Sequence, residues 1–189
     1  MMHIRFATEE DAPALLEIYR QYIDTSITFE YELPSVEEFA RRIHDFGSFY
    51  PYFVCEEDGK ILGYAYAHRQ AERAAYQWNA ELSLYLDKDC TGKGVGHRMY
   101  TVLLELLRLQ GIRTVYALVT SPNTPSEWLN YSMGFHLMGV QKNTGYKAGA
   151  WHGVSWFEKA IGDYDEHPQP PQSIHDVPQE QVQEIMERF

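Results

Sequence analysis

The chain has 189 residues, room for one domain with an appendage and hardly for two. Its 44% hydrophobic and 14% aromatic residues can build a packed core that buries about 70% of the unfolded surface, which excludes a disordered or fibrous class. Sixteen Lys and Arg against 27 Asp and Glu leave a formal charge of −11, which argues against nucleic acid or an anionic membrane as partner. Any polyanionic ligand must then be held by local geometry. Cys55 and Cys90 lack metal-type spacing and follow no secretory leader, so a reduced, cytoplasmic protein is expected. The eight histidines are scattered and predict no metal site. No apolar run nears the ~20 residues that cross a bilayer.

In chain order, His3 to Phe6 predicts a first strand, and Thr8 with Glu9, Glu10 and Asp11 predicts a capped helix start. Leu15, Leu16, Ile18, Tyr19, Tyr22 and Ile23 then recur at helical spacing. Ser35 and Glu38 form a capping box for a second helix, whose apolar stripe is Phe39, Ile43 and Phe46. Residues 52–56 and 60–67 flank an Asp58-Gly59 turn and predict a hairpin. The alternating aromatic run 76–86 predicts another strand. A glycine-rich turn over 91–96 leads into a helix marked by Val95, Met99, Val102, Leu103, Leu106 and Leu107, with Gly111 as its stop. Residues 114–119 complete a β-α-β unit. Thr124 as cap, Pro125 at the first position and Gly134 as stop predict the next helix. Residues 135–140 and 151–160 are the last strand candidates. After Gly162, a Pro-rich linker leads to an amphipathic helix whose stripe is Val182, Ile185, Met186 and Phe189. That stripe can serve the domain, a second subunit, or neither.

Gly92-x-Gly94-x-Gly96 at a helix start presents unblocked backbone N–H groups beside the positive end of the helix dipole, a ready site for a pyrophosphate. A dinucleotide fold would put this motif after the opening strand and an acid after the next one, and Val119-Thr120-Ser121 supplies no acid. A P-loop needs Ser or Thr after its lysine, yet Lys93 precedes Gly94. A coenzyme A site remains.

The element order over residues 2–160 resembles the GNAT acyltransferase fold, an α/β (α+β) class with a mixed central sheet flanked by helices, here with a C-terminal tail. Thr25-x-x-Thr28-Phe29-Glu30, Tyr50-Pro51, Gly63 to Ala67, Arg73-x-Ala75-Tyr76, Glu81-x-Ser83-x-Tyr85, Pro122-Asn123-x-x-Ser126, Gly134-Phe135 and Gly145-x-Lys147-x-Gly149-x-Trp151 are similar to the phosphinothricin acetyltransferase branch. Two positions depart from it. Thr91 replaces the Arg or Gln that usually opens the acetyl-CoA signature, and Asn130 stands where the family has Tyr or His, with Tyr131 one place on. A one-residue shift turns a helical side chain by about 100°.

The resemblance implies transfer of acetyl from acetyl-CoA to the primary amine of a small amino acid or analogue such as phosphinothricin or methionine sulfoximine. It implies Glu81 as base and Tyr131 as the second catalytic candidate. Leu84, Tyr85, Leu86, Gly92, Lys93, Gly94, Val95, Gly96, His97, Asn123 and Ser126 are implied for the coenzyme, and Phe29, Glu30, Arg73 and Tyr76 for the substrate. A guanidinium suits an acid group because it grips it bidentately. The expected organisation is a catalytic domain over 1–162 with the linker and short helix over 163–189, in a homodimer and without metal. Two alternatives stay open: a non-catalytic acetyl-CoA or amine-binding module, and a protein N-acetyltransferase.

Overall fold

A computed structural model of the chain describes residues 2–188. The strands are β1 (His3–Phe6), β2 (Tyr52–Glu57), β3 (Lys60–Arg69), β4 (Asn79–Leu86), β5 (Thr114–Ser121), β6 (His136–Lys147) and β7 (Ala150–Ala160). The helices are α1 (Ala12–Ile23), α2 (Val36–Gly47), α3 (Val95–Gln110), α4 (Thr124–Ser132) and α5 (Gln179–Glu187). One sheet runs in the order β1-β2-β3-β4-β5-β7-β6, and β4 with β5 is its parallel pair. All other neighbours are antiparallel.

Period-two alternation divides the core between the two faces of this sheet. Tyr52, Val54 and Tyr64 pack with Leu15, Leu16, Tyr19 and Phe39 of α1 and α2. Phe53, Ala65, Ala67, Ala80 and Leu82 join Met99, Leu103 and Leu106 of α3 in the larger cluster. The helix α3 ends as expected: Gly111 adopts φ 93°, and the Ile112 N–H returns to the Leu107 carbonyl.

Several local expectations need correction. Glu9–Asp11 form a separate 3-10 turn before α1, because Asp11 accepts from the Thr8 N–H at 2.8 Å and is clamped by Arg5. The strand expected from residue 76 starts at Asn79, since Ala74–Tyr76 form another such turn. The cap of α4 is Asn123, whose side chain accepts from the Ser126 N–H, and not Thr124. β6 extends to Lys147, well beyond residue 140, because pairing with β7 carries it through two register shifts.

The tail does not project. Ile174, Val177, Val182 and Ile185 are buried in the α3-side core, and the Gln110 amide donates to the carbonyls of Phe49 and Gln172, both at 2.8 Å. Phe189, the last residue of the expected stripe, lies outside the described residues.

Candidate active site

The parallel pair is where the site opens. β4 and β5 pair only from Asn79 with Thr114 to Leu82 with Ala117. Beyond that register the strands part, while each stays bound to its outer neighbour, β3 or β7. The diverging inner edges therefore carry backbone N–H and C=O groups with no partner across the fork, a chemistry suited to an amide-bearing ligand. A cleft of about 590 Å³ fills the gap, lined by Leu82 to Leu86, Ala117 to Thr120, and residues of the glycine turn and α4.

The glycine turn meets this cleft from the α3 side. A 3-10 turn over Lys88–Cys90 precedes it, and Gly92 and Gly94 adopt φ 73° and 80°, which L side chains rarely hold. A Cβ built at either would meet nothing within 4 Å, so the space before both is open. The first α3 hydrogen bond runs from the Arg98 N–H to the Gly94 carbonyl, which leaves the N–H groups of Val95, Gly96 and His97 unpaired within the helix. No acid occupies that first turn. At Gly96 a Cβ would lie 3.3 Å from Leu84 and 3.4 Å from Leu86, so glycine lets α3 approach β4 closely.

Of the residues expected at the coenzyme, Leu84, Tyr85, Leu86, Gly92, Gly94, Gly96, His97, Asn123 and Ser126 line the cleft. Lys93 does not, and Val95 is buried beneath the turn. The Asn123 side-chain oxygen is committed to its cap. Asn130 lines the cleft, whereas Tyr131 is half-exposed, outside it, with its ring edge-on to Phe157. The Asn130 Nδ2 donates to the Ser126 carbonyl at 2.8 Å, and a carbonyl can only accept, so the amide orientation is fixed. Its Oδ1 is then buried without a partner, a loss of about 1–3 kcal/mol unless a donor arrives.

On the opposite face lies a second cavity of about 400 Å³, lined by Phe29, Glu30, Tyr19, Arg42, Tyr64, Tyr66 and Tyr85 among others. Tyr85 lines both spaces and is the wall between them. Glu30 accepts from Arg42 at 2.7 Å through one oxygen, while its other oxygen is buried without a partner. Arg42 also binds Glu38 at 2.6 Å, so its charge is already answered by two carboxylates. Phe29 is seated by the β6–β7 hairpin: a Cβ at Gly145 would lie 2.5 Å from its ring. Lys147, buried, donates to the carbonyls of Ile23 and Thr28, both at 2.6 Å, and burial lowers its ammonium pKa.

Glu81 sits one residue before the last β4–β5 pair, on the Tyr85 side of the sheet by alternation. Burial pushes its carboxyl above the ordinary range, with His68 opposing that shift. Arg73 and Tyr76 line neither cavity in the single chain. They occupy the connection before β4, and the Arg73 guanidinium makes no ion pair among the described residues. Sequence reasoning missed Arg42 and His68. Arg42 reads as an i,i+4 surface partner of Glu38, but His68 continues the Tyr64, Tyr66 alternation and could have been found from it.

A mixed sheet whose parallel pair splays over a glycine-turned helix start defines a coenzyme-dependent acyltransferase. Residues 4–156 match the family described as the acetyltransferase (GNAT) domain, and the chain belongs to that family. It is 34% identical to the phosphinothricin N-acetyltransferase of Streptomyces viridochromogenes over 94% of this chain and 96% of that protein. It is 28% identical to the L-methionine sulfoximine/L-methionine sulfone acetyltransferase of Salmonella typhimurium, covering 89% of this chain and 98% of that one. Among solved structures, the phosphinothricin acetyltransferase of Sinorhizobium meliloti in complex with AcCoA superposes with a TM-score of 0.84 at 30% identity. That match covers 92% of this chain and 98% of the other.

Proposed function

We propose that the chain transfers acetyl from acetyl-CoA to the primary amine of a small amino acid or amino-acid analogue of the phosphinothricin and methionine sulfoximine type. The observation that carries this reading is the fork itself: open glycine turns and unpaired amides on one face, and a desolvated carboxylate, Glu81, on the other. The open space at Gly92 and Gly94, the free Asn130 Oδ1 and the parted strand edges fit the phosphates and the amide-bearing arm of the coenzyme. When bound, the coenzyme supplies the activated acetyl group. Glu81 takes a proton from the arriving ammonium, and its raised basicity suits that task. Arg73, uncommitted, is a better grip for the substrate's acid group than Arg42, whose charge is spent on Glu30 and Glu38. Phe29 and Glu30 line the cavity on the Tyr85 side proposed to receive the amine, and Tyr76 lies three residues after Arg73.

The catalytic unit of this reading is residues 1–162, with 163–189 as a Pro-rich linker and short amphipathic helix. The long edge strand β6 exposes Leu137, Met138, Val140 and Tyr146, with Trp151 beside them on β7. Such an uncovered edge favours a second copy, so a homodimer is proposed. Two free, buried cysteines fit a reducing compartment such as the cytoplasm. Among the described residues no helix is long and apolar enough to cross a membrane.

The test is thiol release from acetyl-CoA against a panel of amino acids, their analogues and short peptides. Turnover restricted to the small amino acids supports the reading. Turnover restricted to peptides would favour protein acetylation, and coenzyme binding without any amine-dependent release would favour a binding module.

A further inference from the structure

His68 on β3 and Glu81 on β4 are direct partners across the sheet. The His68 Nε2 stands 3.7 Å from the Glu81 Oε1, and its Nδ1 lies 3.0 Å from the Arg69 carbonyl oxygen. That oxygen can only accept, so Nδ1 carries a proton whether the ring is neutral or charged. In the neutral ring, Nε2 is therefore a bare acceptor aimed at another acceptor, a carboxylate. The 3.7 Å gap exceeds a hydrogen bond. One proton placed on either side turns the contact into a donor–acceptor pair.

The rest of the environment leaves this contact undisturbed. Phe46 of α2 stacks on the imidazole at 5.2 Å and 28°, and Tyr66 lies at 6.1 Å, so the ring plane is held. Arg42 on α2 pairs with Glu30 in the preceding loop and with Glu38 on its own helix, so that cluster holds no unanswered cation to compete for Glu81. From β5, Tyr116 is the Cα partner of Glu81 and is itself paired across to Glu158 on β7. Arg69, next to His68, leans toward Glu72 at 3.9 Å. The imidazole keeps a quarter of its surface exposed to water.

We propose that His68 is a relay and positioning residue, taking through Nε2 the proton that Glu81 removes from the amine and releasing it to solvent. This rests on the reading of Glu81 as base. The balance requires such an exit. Acetylation of an ammonium forms one C–N bond and breaks one C–S bond; the nitrogen gives up two protons, one ends on the sulfur, and the other leaves. Handing that proton to Nε2 returns Glu81 to its ionised form before the next amine arrives.

The experiment compares full pH profiles of kcat and kcat/KM for the wild type, His68→Gln and Glu81→Gln with the best amine of the panel. His68→Gln should lower kcat roughly tenfold with little change in the amine KM. Its acid limb should move up, because His68 opposes the effect of burial on the Glu81 carboxyl, and without it the carboxyl stays protonated to higher pH. Added imidazole should restore part of the loss. An unchanged kcat and acid limb in His68→Gln, with Glu81→Gln inactive, overturns the relay and leaves Glu81 as base. Near-normal turnover in Glu81→Gln overturns both. Should His68→Gln fail to fold, the ¹⁵N shifts of the wild-type ring decide: the Nδ1–H tautomer supports the relay, and the Nε2–H tautomer refutes it.

Discussion

Gly94 and Gly59 share one backbone state and differ in place, which makes them a matched pair. Both adopt φ 80°, and neither would bring a Cβ within 4 Å of another atom. Gly59 lies in the Asp58-Gly59 turn of the β2–β3 hairpin, whereas Gly94 caps α3 at the cleft. Substituting Ala at either position forces an L side chain into the left-handed region, at about 1–2 kcal/mol. For a chain of this size that lowers Tm by roughly 2–4 °C per kcal/mol. The folding losses should therefore match. The Gly94→Ala methyl alone would occupy the space from which phosphates approach the backbone. A tenfold rise in Kd corresponds to about 1.4 kcal/mol, less than the worth of one charge-assisted hydrogen bond to a phosphate oxygen, about 1.5–3 kcal/mol. Calorimetric titration with acetyl-CoA should show at least that rise for Gly94→Ala and no change for Gly59→Ala. Equal affinities in the two variants, with equal melting losses, would remove the glycine turn from the coenzyme site.

Three further outcomes follow from the packing and charge. Gly145→Ala should displace the Phe29 ring, which a Cβ would meet at 2.5 Å, and raise the amine KM severalfold while the acetyl-CoA KM stays put; steady-state kinetics with each substrate varied will show it. Ile174→Ala, at a site only 1% exposed, should cost about 2–5 kcal/mol in denaturant unfolding without altering either KM, and an unchanged midpoint would mean that the tail does not contribute to the core. Glu81→Gln should melt higher than the wild type near neutral pH. Burial raises the folded carboxyl above its unfolded value, so its favourable contribution is full below the unfolded pKa and is lost as pH rises through the folded one. The gain should vanish below about pH 4, where the unfolded carboxyl is also protonated; a gain that persists there would have another origin.

What the sequence made legible was local chemistry. The hairpin at Asp58-Gly59 follows from two residues that tolerate positive φ, here 51° and 80°, and the Gly111 stop from one that does, at 93°. The glycine turn pointed to an anion because its backbone is accessible, which depends on few distant contacts. Longer-range facts left no such trace. Residues 141–144 are polar and exposed, so no alternation marks them as strand, and only the pairing of β6 with β7 shows that the strand continues. Arg42 meets Glu30 because the loop after α1 folds over α2, and twelve residues of separation have no period to betray it. The amphipathic stripe of α5 was readable, while its docking on α3 was a tertiary outcome.

Turnover of Glu81→Gln across the pH range isolates the proposed base, because the variant keeps the shape of the side chain and loses only its ability to accept a proton. With a saturating small amino-acid substrate, kcat at neutral pH should fall by roughly 10²–10⁴, the usual worth of general acid–base catalysis, with Michaelis constants little moved. Part of the activity should return at high pH, where more of the amine is already neutral. Near-normal turnover by Glu81→Gln throughout would exclude Glu81 as the base, since the amine's proton would then leave by a route that does not involve the carboxylate at the fork.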